Sequence, residues 1–164
     1  MMLVYKHVKN LFQSSKGIQD ETLPFLTVFV DSNVYVSKGL YIPIINKATD
    51  EKKAKEFLSE AITHGAIAAI WPLELPLPQL VPNHFPVFFV QETLDALNRL
   101  VTYYVEKTNE TSFEVQTKFV LPRTDNHNEK NCTYDSPVIA ILKELENKLA
   151  NSSQNKEEGG NSHA

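Results

Sequence analysis

A single cysteine, Cys132, serves the whole 164-residue chain, so no disulfide can close within it. That usage fits a reducing compartment. Glycine is almost as scarce. Of Gly17, Gly39, Gly65, Gly159 and Gly160, none precedes a Lys-Ser or Lys-Thr at phosphate-loop spacing. Such a loop needs glycines so that backbone N–H groups reach phosphate oxygens, and a lysine for the outer phosphates. The five histidines, His7, His64, His84, His127 and His163, show no ligand spacing, and with one cysteine they make no structural zinc site. No metal or cofactor is expected. No apolar run approaches bilayer length. The opening run MMLVYKHVKN is too short for a signal peptide and is broken by Lys6 and Lys9. A cytoplasmic protein without membrane insertion is the expectation. Excess positive charge is missing too: the formal net charge is −4 with both signs interspersed, which argues against nucleic acid as a partner.

What the chain does have is 42% apolar residues, enough for one globular domain. The stretch Asp50–Pro72 organises it. Ala54, Phe57, Leu58, Ala61 and Ile62 recur at helical spacing and form one apolar stripe. Asp50 is placed to cap the helix, and Gly65 to close it in a left-handed conformation. Ala66–Trp71 then reads as a strand buried on both faces. Helix, glycine and buried strand make half of a βαβ unit.

Ahead of this unit the spacing predicts a short helix over Leu3–Phe12, a strand at Phe25–Asp31 and another at Leu40–Ile45. Pro43 would put the latter at a sheet edge or beside a bulge. After it, five prolines between Pro72 and Pro86 predict an extended loop. Val87–Val90 follows as a strand, then a helix from Thr93 to about Lys107, then a strand at Ser112–Leu121. Pro122–Asp135 reads as a linker. Ser136-Pro137 starts a C-terminal helix whose stripe is Val138, Ile141, Leu142, Leu145 and Leu149. That stripe can dock on the domain, or it can self-associate or bind a protein partner. Asn151–Ala164 is polar and reads as a disordered tail. The fold class is α/β: a mixed sheet of about five strands with packing helices. Residues 1–121 form the domain, 122–135 a linker, 136–150 a helix and 151–164 a tail.

The centre of the chain resembles the N-terminal, nucleotide-sugar-binding domain of Mur ligases. The resemblance rests on Val30-Asp31-Ser32, on Lys38-Gly39-Leu40-Tyr41, and on Phe57-Leu58, Ala61-Ile62 and Gly65-Ala66 at the family's spacing. Pro86-Val87, Val90, Glu92-Thr93, Ala96-Leu97 and Leu100 complete it, over about Phe25–Lys107. Asn33 stands at the family's arginine, Leu40 directly follows Gly39 without the family's acidic residue, and Asp50–Lys53 replaces its Asp-Gly-His. The resemblance implies a non-catalytic binding domain for a UDP-sugar such as a UDP-N-acetylmuramoyl peptide, or for a protein of the cell-wall pathway. Without a Gly-Lys-Thr loop, no acyl phosphate is expected from this chain. Two alternatives stay open: an interaction module that has lost its ligand, and one chain of a divided ligase.

Asp31, Ser32 and Asn33 are the expected ligand contacts, with Lys38 and Tyr41 behind them. In the functional reading Ser32 donates to a ligand oxygen and Asp31 orients the loop. In the plainer one both make local bonds that end the strand. Tyr41 also fits the core, and His64 a helix C-terminus. Cys132 has no basic neighbour that would make it a nucleophile.

Overall fold

The computed structural model describes residues 1–45, 51–108, 116–122 and 136–161, with side chains up to residue 152 in the last helix. In chain order the elements are β1 (Leu3–Val4), α1 (Tyr5–Leu11), β2 (Ser15–Lys16), β3 (Pro24–Phe25), β4 (Thr27–Phe29), β5 (Gly39–Tyr41), α2 (Glu51–Thr63), β6 (Ala66–Pro72), β7 (Val87–Val90), α3 (Thr93–Thr108), β8 (Lys118–Val120) and α4 (Ser136–Asn161). Six strands form a mixed sheet in the order β2-β7-β6-β5-β4-β8, and β1 pairs with β3 in a separate ribbon. The α/β class read from the sequence is the class observed. The strands β7, β6, β5, β4 and β8 run parallel, and only β2 is antiparallel.

Alternation along the strands divides the core in two. Val28, Val30, Leu40, Ile42, Ala68, Ile70 and Phe88 face the layer that holds α1, α3 and α4. Phe29, Tyr41, Ala69, Trp71 and Val87 face α2 and the proline-rich connection, whose Val81 and Phe85 are buried. Trp71 is packing, with its indole N–H donating to the Leu75 carbonyl (3.1 Å). The α4 stripe docks within the chain: Leu142 and Leu145 are fully buried in the α1–α3 layer. Among the described residues no helix is long and apolar enough to cross a membrane.

Several expectations are corrected. The strand expected to carry Pro43 is interior, between β4 and β6, so of the two alternatives, edge and bulge, the edge is not observed. It ends at Tyr41, so the missing N–H of Pro43 falls beyond the ladder. A register shift does occur, at Gly39/Leu40, where β6 contributes an extra residue and Ile67 and Ala68 face the same layer. Phe25–Asp31 is two short strands: Phe25 pairs with Leu3, and only Thr27–Phe29 joins the main sheet. The helix from Ser136 continues to Asn161 instead of giving way to a disordered tail at Asn151. Extending a formed helix costs little, and Gln154, Lys156, Glu157 and Glu158 are good helix formers. The Asp50 cap, residues 112–115 of the predicted strand, the 123–135 linker, Cys132 and His127 lie outside the described residues.

Gly65 closes α2 as expected, with φ +120°. A Cβ there would also collide with the Val36 carbonyl oxygen. Gly65→Ala should therefore lose about 2–3 kcal/mol or more, read from the urea midpoint.

His7 offers a pH test. Its Nδ1 accepts the Val4 N–H at the start of α1 (3.1 Å), so the capping ring is neutral. Burial, and then Lys6, lower its pKa below the usual 6.5. The unfolded chain therefore takes up this proton first. The His7 contribution is complete above about pH 6.5 and is lost as the pH falls through the folded value. Urea midpoints of the wild type should drop on acidification more steeply than those of His7→Gln.

Candidate functional site

Asp31 lies just past the carboxyl end of β4. Its Oδ1 accepts the Asn33 N–H (2.9 Å) and its carbonyl the Val34 N–H (3.3 Å), so the side chain shapes a local turn. Ser32 is buried. Its hydroxyl donates to Glu60 Oε2 (3.3 Å), and its carbonyl accepts from His64 Nδ1 (2.7 Å). Val36 N–H donates to the His64 carbonyl (2.9 Å). Tyr35, 80% exposed, lies over the His64 ring with centroids 4.1 Å apart. The loop after β4 is thus pinned to the end of α2, and His64 does the pinning through a side chain as well as through its position at the helix terminus.

The five residues chosen from the sequence do not converge. Asp31, Ser32 and Asn33 share one turn, with Asp31 and Asn33 exposed. Lys38 precedes the first residue of β5, at the amino edge of the sheet, opposite Asp31; its φ is +47° and its carbonyl accepts the Leu26 N–H (3.1 Å). Tyr41 is core, its ring 5.3 Å from that of Phe29. Glu60 and Tyr35 were missed because nothing in sequence spacing joins them to Ser32.

The larger concavity, about 770 Å³, also lies at the carboxyl edge. It sits past the ends of β6 and β7, between the end of α1 and the start of α3, with Phe12, Gln13, Leu73, Gln91, Asp95 and Arg99 in its walls. Open parallel sheets hold ligands past the carboxyl ends of their strands, at the point where strand order reverses, which here lies between β4 and β8. The Arg99 guanidinium donates to the Leu11 carbonyl (3.2 Å) and covers the Phe12 ring at 5.2 Å, which fixes the α1 wall. Phe89 N–H donates to the Ser14 carbonyl (2.8 Å) and Leu73 N–H to the Val90 carbonyl (2.7 Å), which fix the floor. Glu74, Glu92 and Asp95 set three carboxylates around it against one guanidinium. Asp95 sits in the first turn of α3, where the positive helix end favours it. Sequence reasoning missed this cleft, although the two-residue connection Gln91-Glu92 between β7 and α3 was a signal for a ligand-side loop.

Among the described residues no group of three or more His, Cys, Asp or Glu side chains could hold a metal ion. The chain matches no protein-family model. A comparison with curated proteins gives no significant match.

His64→Ala should leave the Ser32 carbonyl without its donor and Tyr35 without the ring beneath it. The expected loss is about 1–2 kcal/mol, with proteolysis within residues 31–38 becoming faster than in the wild type.

Proposed function

We propose that this chain is a non-catalytic binding domain whose ligand lies along the carboxyl edge of the parallel strands. The observation that carries the reading is the cleft of about 770 Å³ at the ends of β6 and β7, walled by apolar and hydrogen-bonding side chains together. The resemblance to Mur ligase N-terminal domains supplies the ligand class, a UDP-sugar peptidoglycan precursor, and sets Asp31–Asn33 beside the nucleotide. The carboxylates and amides of the cleft accept and donate to sugar hydroxyls, whereas a diphosphate placed there would face like charge. The sugar end therefore belongs in the cleft. A protein-docking role for Ser136–Leu149 is less favoured, because that stripe packs within the chain.

Calorimetric titration with a UDP-N-acetylmuramoyl peptide tests this. Binding heat is expected, with affinity weakened about 5- to 30-fold by Gln91→Ala and by Asn33→Ala, the size of one or two hydrogen bonds. No heat at millimolar ligand would remove the nucleotide-sugar reading.

A further inference from the structure

The carboxyl-edge cleft carries more negative charge than the cations beside it answer. Glu74 comes from the turn after β6, Glu92 from the connection into α3, and Asp95 from the first turn of α3, so the carboxylates enter from separate points of the lining. All three residues are exposed. Two cations border the wall made by the end of α1, and both are committed to it. Asp95 and Arg99 stand one turn apart on α3, the spacing of a helical ion pair. The guanidinium reaches instead to the Leu11 carbonyl and the Phe12 ring. The Lys9 ammonium donates to the Gln13 carbonyl and to the Ser15 hydroxyl. The positive end of α3 is worth about half a unit charge, less than the Glu92 and Asp95 carboxylates set beside it. Leu73 and Phe89 add apolar surface to the same lining.

We propose, building on the cleft as the ligand site, that the group seated in it is a cation: a protonated primary amine on a sugar ring or on a short stem. An ammonium has three donors and no acceptor, and a carboxylate only accepts. The side-chain carbonyls of Gln13 and Gln91 give further acceptors. A hydroxyl at the same place brings one donor and no charge. A carboxylate or phosphate there would meet three like charges. The apolar surface of Leu73 and Phe89 takes the carbon skeleton that bears the amine, in the way lysine stems lie on apolar surface. Among UDP-sugars, the preferred ones therefore carry a free amine, and the diphosphate stays outside the cleft. The carboxylates reach solvent, so salt weakens the preference.

The test is calorimetric titration of the full chain with UDP-glucosamine and with UDP-glucose, which differ by an amine in place of one hydroxyl. At about pH 6 that amine is protonated. UDP-glucosamine is expected to bind at least about fivefold more tightly, by a ratio that added salt brings down. Glu74→Gln and Asp95→Asn should each lower the ratio about twofold or more, the size of one exposed charge pair. Both positions are exposed, and a lowered ratio in either variant supports the proposal. Two results would each overturn it while leaving the cleft as a UDP-sugar site: equal affinity for the two ligands, or a ratio unchanged in both variants. Absence of heat with both ligands would remove the cation assignment together with the UDP-sugar reading.

Discussion

Burial of the central sheet on both faces constrains everything else in this protein. From Val28 to Val30, Leu40 to Ile42 and Ala68 to Trp71, every side chain meets one helical layer or the other. A polar group within those strands would be cut off from water, at a cost of several kcal/mol unless paired. These stretches of strand are therefore mostly apolar, and polar side chains stand at the strand ends. Tyr41 illustrates the rule: it is the last residue of β5, at the carboxyl edge, yet its ring belongs to the layer shared by Phe29 and Trp71. Small residues set the spacing on that side. Ala54 and Ala61 of α2 meet Ala66 and Ala69 of β6, so the helix comes close to the sheet.

The two edges of the sheet are built differently. At the carboxyl edge the chain turns from β4 into the Asp31 turn and from β7 into α3, and the side chains left there are carboxylates, amides and one arginine. At the amino edge the helices end rather than begin. Among the described residues the polar groups there include Lys38, Lys118 and the hydroxyls of Thr117, Tyr104 and Thr108. Thr117 ties β1, β3 and the start of β8 together through a single oxygen. That tie holds the amino edge together across more than ninety residues of sequence separation.

Local pattern carried much of the fold into the sequence. Ala54, Leu58 and Ala61 of the α2 stripe are buried, the closing Gly65 and the apolar run Ala66–Trp71 stand where their periodicity puts them, and Phe57 of the same stripe is exposed instead. Long-range pairing was less legible. The split of Phe25–Asp31 between two sheets depends on Leu3, some twenty residues earlier, and the interior place of β5 depends on how soon the strand stops before Pro43. The candidate site follows the same division. The Asp31–Asn33 turn could be read locally, as a residue pair that ends a strand. The cleft could not, since Phe12, Leu73, Gln91 and Arg99 come from four separate segments, and neither could the Ser32–Glu60–His64 set, which joins a loop to a helix about thirty residues away.

Electrostatics gives the proposed ligand a direction. The positive end of α3 faces the carboxyl-edge cleft, but Glu92 and Asp95 already stand there, and Arg99 is held between the Leu11 carbonyl and the Phe12 ring. A phosphate entering the cleft would meet Glu74 as well, without a free guanidinium to offset it. Hydroxyl and amide groups meet no such opposition, since carboxylates accept from them and Gln13 and Gln91 can pair with either kind. A diphosphate, or a peptide carboxylate, would therefore be turned away from the cleft by repulsion, while sugar hydroxyls would meet no such opposition. In the proposed reading the hydroxyl-bearing ring would lie between α1 and α3, and the diphosphate outside the cleft, away from the three carboxylates.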